Sequence, residues 1–248
     1  MKTAVGIDPS WVLTHPTGIC VMEDAGDGWT VTSTTASITD IDAIRAAIPE
    51  PSGQPIAVSV DAPLWIPNET GIRECDRQVV SRYIDRKIGV YPCNRVIAAR
   101  RGWKTVDIRV ALEDAGYIEA PHAAPAVYFE TYPHPALVNL LDLPTRPEYK
   151  KGRIADRRRG LQRLGEQLHD LARARGIRFV DDATRRAAIP IDLDALRNRE
   201  LKMAEDRLDA FVCAVIAAEW LDFGRDGNEI IGAPGQGLMI FPGGRATD

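Results

Sequence analysis

The chain has 248 residues, 45% hydrophobic and 27% charged, with a formal net charge of −4. These are ordinary values for a soluble globular protein, and no apolar run reaches the ~18–20 residues of a membrane span, so no membrane partner is expected. The opening "MKTAVGIDPS" has no h-region or cleavage site, and the four cysteines (Cys20, Cys75, Cys93, Cys213) form no CxxC pair. This argues against a signal peptide, a disulfide framework and a zinc ribbon, and fits a reducing, cytoplasmic setting.

Charge is unevenly spread. Residues 73–104 carry nine Lys/Arg against three Asp/Glu, and residues 146–175 carry ten against four, leaving the rest of the chain strongly acidic. Two basic segments on an acidic body point to an anionic partner such as nucleic acid, or else to solvated helix faces.

In chain order, "AVGID" (4–8) reads as a buried strand ending on a carboxylate. "PSWVLTHPTG" is turn-like, "GICVMED" (18–24) is a second strand, and the alternating "WTVTSTTAS" (29–37) is a third, giving an antiparallel meander. In "TDIDAIRAAI", Thr39 and Asp42 are spaced as a capping box, and Ile41, Ile44 and Ile48 share a helical face. "PIAVSVDAPL" (55–64) is apolar enough for a strand buried on both faces, and it carries Asp61. A helical, Arg-rich insertion is expected over about 65–125, followed by "AVYFETYPHPAL" (126–137) as another buried strand, with Glu130. Then come the basic helix "RRRGLQRLGEQLHDLARARG", a short extra strand in "GIRFVDD", the helix of "KMAEDRLDAFVCAVIAAEWL" (202–221), and a Gly-turned hairpin over about 228–242. The order predicts an α/β chain, a single domain over 1–248, with helices packed on a mixed sheet and the insertion as a crossover.

Carboxylates stand where an apolar core is otherwise expected: Asp8, Asp61 and Glu130 at or near strand ends, Asp206 and Asp209 on the late helix. A buried, unpartnered carboxylate is costly, so each needs a counter-charge or a metal. Parallel strand ends converge at one edge, and positions 206, 209, 213 and 217 share a helical face whose small Cys213 and Ala217 permit close approach to a sheet. Five carboxylates without a His or Cys cluster favour Mg²⁺ or Mn²⁺. Asx turns at Asp8 and Asp61, and dipole-favoured acids at a helix start, are the plainer account of each taken singly.

The segments "VGIDPSWVLTHPTGICV" and "EDRLDAFVCAVIAA" resemble the opening strand and closing helix of the RuvC-type Holliday-junction resolvases, in the ribonuclease-H-like superfamily. "GIDPS", "VDAPLWIP", "GIRECDRQV", "YFETYPHPAL", "YKKGR", "AEDRLDAFVCA" and "IIGAPGQGLMIFP" together look closer to the family of predicted ribonuclease-H-fold nucleases called domain of unknown function four-two-nine, nearly end to end. The resemblance implies a five-stranded mixed sheet of order 3-2-1-4-5, its second strand antiparallel. It also implies two-metal hydrolysis of a phosphodiester, with Asp8, Asp61, Asp206 and Asp209 as ligands and Asp209 favoured as the direct ligand on the helix. Glu130 has no counterpart in the resolvase motif.

On this reading the chain is a metal-dependent nuclease holding two Mg²⁺ or Mn²⁺ ions at Asp8, Asp61, Asp206 and Asp209, with Glu130 as a further catalytic carboxylate. His134 is a candidate proton shuttle and Arg73, Arg77, Lys150, Lys151 and Arg153 are candidate phosphate holders, each also readable as an ordinary turn or surface residue. The partner expected is DNA or RNA, and a resolvase would be a homodimer. Aromatics are only 6%, and no stacking platform is visible. Two alternatives share the sheet: an actin-like or sugar-kinase-type ATPase, disfavoured because no glycine separates Asp8 from Gly18, and a catalytically inactive nucleic-acid-binding module.

Overall fold

The structure, a computed structural model, describes residues 1–12 and 14–244. Strands β1 (Lys2–Pro9), β2 (Thr17–Asp24) and β3 (Trp29–Ile38) form the antiparallel meander. Helix α1 (Ile41–Ala46) leads to β4 (Ile56–Val60), parallel to β1. The insertion holds α2 (Glu74–Tyr83), a 3-10 turn (Ile84–Arg86), α3 (Arg95–Arg101), α4 (Lys104–Asp114) and β5 (Ile118–Glu119). It returns to β6 (Ala126–Glu130), parallel to β4. Next come α5 (Pro133–Leu140), α6 (Ile154–Ala174), β7 (Arg178–Phe179), α7 (Asp182–Ala188), α8 (Asn198–Phe223) and the hairpin β8 (Asn228–Ala233) with β9 (Gly237–Pro242).

Among the described residues these strands make one mixed sheet of nine, in the order β7-β3-β2-β1-β4-β6-β9-β8, with β5 also paired to β6. The sheet is wider than the five strands expected, because the C-terminal hairpin joins it through β9 and the short β7 joins β3. Two local expectations are corrected. "YPHPAL" is not strand: the chain leaves β6 at Glu130, and Pro133, whose missing N–H costs nothing at a helix start, opens α5. The cap of α1 is Asp40 rather than Thr39, its carboxylate accepting from the Ala43 amide at 3.0 Å.

The sheet is covered on both faces, and the two cores follow strand alternation. Val5, Ile7, Val58, Val60 and Tyr128 pack with Ile44, Ile108 and Leu112 of α1 and α4. Ala4, Ala57, Val127 and Phe129 pack on the opposite face, under the apolar half of α8. Residues on the α8 face are small where β1 and β4 cross the helix: Ala4 and Gly6, then Ala57 and Ser59. The Ser59 hydroxyl donates to the Cys213 carbonyl at 2.6 Å. A Cβ built at Gly6 would lie 2.0 Å from the Ala210 carbonyl oxygen, and one at Gly18 would lie 2.2 Å from that of Asp206. The α8 backbone thus rests directly on β1 and β2.

A methyl group at Gly6 has only main chain to displace, so Gly6→Ala is expected to cost about 3 kcal/mol or more, the upper range for overpacking. Gly89→Ala is the control: nothing lies within 4 Å of its Cβ position, and its expected effect is within about 0.5 kcal/mol. Urea unfolding of the two variants measures the difference.

Candidate active site

The C-terminal ends of β1, β4 and β6 meet the N-terminal half of α8 around a cleft of about 1070 Å³ lined by Asp8, Asp61, Glu130 and Asp206, among others. Register and alternation explain which carboxylates converge. Gly6 pairs with Ser59 across β1 and β4, and both face α8. Two residues on, Asp8 and Asp61 continue that face beyond the point where the helix covers it, and the Asp61 amide donates to the Ile7 carbonyl at 2.8 Å. The helix approaching over Gly6 and Gly18 then supplies Asp206, 6% exposed, and Asp209, fully buried behind it.

Two lysines stand among these four carboxylates. Lys150 Nζ lies 2.9 Å from Asp209 Oδ2 and 3.8 Å from Asp61 Oδ2. The Tyr149 hydroxyl donates to Asp209 Oδ1 at 2.6 Å. Lys202, one turn before Asp206 on α8, donates to Asp206 Oδ1 at 2.5 Å and Glu205 Oε1 at 2.9 Å. The segment bearing Tyr149 and Lys150 is seated on α6 at Gly160, where a Cβ would meet the Glu148 carbonyl at 2.0 Å.

The electrostatics are those of crowded like charges. Burial and then Asp209 push Asp8 well above the usual carboxylate range; Lys150 pulls it back, and Asp61 and Asp206 add to the push. Burial raises Asp61 to about 6 against the pull of Lys150. Burial also raises Asp206, with Lys202 opposing. Burial works to lower Lys150, yet Asp209, Tyr149, Asp61 and Asp8 raise it well above the ordinary lysine value.

Glu130 lines the cleft but is bonded elsewhere. It pairs with Val60, which pairs with Ile7, so alternation aims it to the face opposite Asp8 and Asp61. There it meets Arg73. Arg73 Nη1 and Nη2 donate to Glu130 Oε2 and Oε1 at 2.8 and 2.5 Å, Nε and Nη2 donate to both oxygens of Asp76, and Nη1 also donates to the Trp65 carbonyl. All five guanidinium N–H groups are engaged and the residue is 2% exposed. Arg73 is therefore the centre of a buried ion-pair triad, with no donor left for a phosphate. Burial pushes Glu130 up to about 7 against the pull of Arg73.

The remaining expected residues are dispersed. Arg77 is exposed and paired with Glu74 on its own helix. Lys151 is exposed on the cleft wall, whereas Arg153, the N-cap of α6, is exposed and does not line the cleft. His134 lines the cleft but is buried between the rings of Tyr132 and Tyr149, its Nδ1 without a hydrogen-bond partner among the described residues. Burial, Lys150, Arg146 and Lys151 hold it down at about 3. It is neutral near pH 7, which does not suit a shuttle that cycles through imidazolium.

Among the described residues, no group of three or more His, Cys, Asp or Glu is already spaced to hold a metal ion. The donor set nevertheless suits one. It is all carboxylate oxygen, the chemistry of Mg²⁺ or Mn²⁺, and the four acids outnumber the two lysines set among them. Asp8, Asp61, Asp206 and Asp209 would hold the cation, with Lys150 giving up its present place. Tyr149 and Lys202 join the site without being among the residues expected from the sequence. Lys202 carried a signal, since i, i+4 spacing sets it beside Asp206; the Tyr149 bond to Asp209 had none, because it joins segments 60 residues apart.

The chain belongs to the family described as "Protein of unknown function (DUF429)", whose model matches residues 6–232. No curated protein matches it.

Removing the centre of the buried triad strands two acids, so Arg73→Leu is expected to cost roughly 3–5 kcal/mol. Arg77→Ala should stay within about 0.5 kcal/mol by the same urea titration.

Stability should also depend on pH in two opposed ways. Between about 3 and the usual 6.5, the unfolded chain binds a proton at His134 that the folded chain refuses, so stability rises with pH there. Between the usual 3.8 and about 6, folded Asp61 keeps a proton that the unfolded chain has lost, so stability falls as pH rises. Over pH 4–6, His134→Asn is expected to flatten the acid-side loss of stability and Asp61→Asn to steepen it. Urea midpoints across that pH range read both.

Proposed function

We propose that this member of a family of unknown function is a metal-dependent phosphodiester hydrolase acting on nucleic acid. The observation that carries this is the meeting of Asp8, Asp61 and Asp206, with Asp209 buried behind them, at a cleft whose wall also carries Arg101, Arg146, Lys151 and Arg199. A site built only to bind phosphate has no use for these three carboxylates in its lining and a fourth buried behind them. Carboxylates and phosphate become compatible when a cation stands between them. The order β3-β2-β1-β4-β6, with β2 antiparallel to its neighbours and an acidic helix over β1, also supports the ribonuclease-H-like arrangement that the sequence resembles.

A divalent cation in such a site lowers the pKa of a bound water and stabilises charge on the leaving oxygen. The chain's own residues do the rest. Tyr149 fixes the carboxylate of Asp209 through its 2.6 Å hydrogen bond. Lys202 holds counter-charge on Asp206, and Lys150 holds it on Asp209 until a cation takes that place. Arg146 and Lys151 are placed to hold phosphate oxygens. His134, neutral and buried, lines the cleft without adding charge to it.

The ion pair of Lys150 with Asp209 favours one other reading, a binding module in which lysine replaces the cation permanently. The experiment separates them. The protein is incubated with labelled single- and double-stranded DNA and RNA in Mg²⁺ or Mn²⁺, with Mn²⁺ affinity measured by calorimetry. Cleavage that falls about 100-fold or more in Asp8→Asn and Asp209→Asn, the scale of losing a group that stabilises transition-state charge, together with weakened Mn²⁺ binding, is the expected result. Salt-dependent binding without cleavage, or Mn²⁺ affinity unchanged in both variants, would overturn the hydrolase.

A further inference from the structure

The mouth of the cleft carries a second cluster, unrelated to the carboxylates. Trp11, in the connection between β1 and β2, meets Tyr91 edge-on, their ring centroids 5.8 Å apart and their planes at 80°. Arg101, the last residue of α3, stands over both rings, its Cζ 5.1 Å from the Trp11 centroid and 5.3 Å from that of Tyr91. All three line the cleft.

The cluster has a firm backing and an open front. Trp11 packs on a small core of Ile66, Cys93 and Ala98. The same connection is tied down where buried Lys104 Nζ donates to the His15 carbonyl at 2.8 Å. Tyr91, with Arg101 and Trp11 both against it, still leaves 60% of its surface in solvent. The exposed ring does not stand alone: it lies beside the cleft with Trp11 edge-on against it and a guanidinium over both rings.

Charge indicates what the cluster suits. Arg101, Arg146, Lys151 and Arg199 share the cleft wall, and among the described residues none of them has a carboxylate partner. A purely apolar ligand leaves these cations unanswered. A simple anion leaves the rings unused. An unpaired nucleobase on a phosphate chain answers both, since every base offers a flat π-face and stacking is worth ~1–3 kcal/mol per base.

We propose that Trp11, Tyr91 and Arg101 form a stacking platform for an unpaired base of a single-stranded nucleic acid, whose phosphates run past Arg146, Lys151 and Arg199 toward Asp8 and Asp61. This rests on the nucleic-acid reading of the cleft and narrows it to substrates with bases free of the duplex stack. It runs against the expectation that no stacking platform is visible in the sequence. Composition counts aromatic residues, whereas here two of them, 80 positions apart, are brought together by the insertion folding onto the β1–β2 connection.

The test is fluorescence anisotropy in EDTA, with a labelled oligothymidylate of ~10 nucleotides, within the usual range of single-strand site sizes, against an abasic strand of equal length. The protein is expected to bind the oligothymidylate at least about fivefold more tightly, the lower end of one stacked base. Tyr91→Ala, at an exposed position, should reduce that affinity to the abasic level without changing the abasic affinity, and Tyr91→Phe should restore it. Lys151→Ala should weaken both strands alike and lower the salt slope by about 1. Equal affinity for the two strands, failure to bind either, or a preference that survives Tyr91→Ala would overturn the platform. The readout needs no divalent cation, so the base preference is measured whether or not the chain cleaves anything. Cleavage without a base preference would remove the platform and leave the hydrolase reading in place.

Discussion

The structure depends on one close approach. Helix α8 lies on β1 and β2 with no side chain between backbones at Gly6 and Gly18. Any larger residue at either position would lift the helix and withdraw its acids from the strand ends. The small residues Ala4, Ala57 and Ser59 extend the same track, and Ser59 fastens it with a hydroxyl bond to the Cys213 carbonyl. What looks like apolar packing is therefore also the device that sets the depth of Asp206 and Asp209 relative to Asp8 and Asp61.

Two systems of buried charge sit within one cleft, and they differ in kind. The Arg73 triad is closed: each guanidinium N–H has an acceptor, and the two carboxylates share a single, fully engaged cation. Such an arrangement holds the insertion to the end of β6. The cluster of Asp8, Asp61, Asp206 and Asp209 is open. Asp209 pushes Asp8, Asp61 and Asp206 up, and the two lysines do not balance the four acids. An open cluster is costly to keep in a fold, and that cost is the physical argument behind proposing chemistry for it.

Much of this was legible in the sequence because it is local. The meander, the buried β4, the acidic pair on the late helix and the terminal hairpin all follow from period, turn residues and small-residue spacing. The structure departs from the sequence-based expectation where non-local register decides. Glu130 looks like Asp8 and Asp61 as a carboxylate ending an apolar run, but its pairing with Val60 turns it to the other face. Nothing within 126–137 reveals that register. Arg73 looked available because its three acceptor residues come partly from β6, far along the chain. "YPHPAL" misled for a nearer reason, since its aromatic and apolar content outweighed two prolines that suit a helix start.

The covering of β1 by α8 also has a consequence for how the chain is made. The strand is synthesised roughly two hundred residues before the helix that lies on Gly6, which at ~5–20 residues per second is a delay of about 10–40 s. Once β4 has followed, Ala57 and Ser59 join Ala4 and Gly6 in an uncovered, small-residue strip of sheet for the rest of that interval. A nascent chain with that strip exposed must be kept from pairing with others until its own C-terminal third arrives. The feature that gives the finished protein its closest packing thus leaves the growing one with its longest exposure to solvent and to its neighbours.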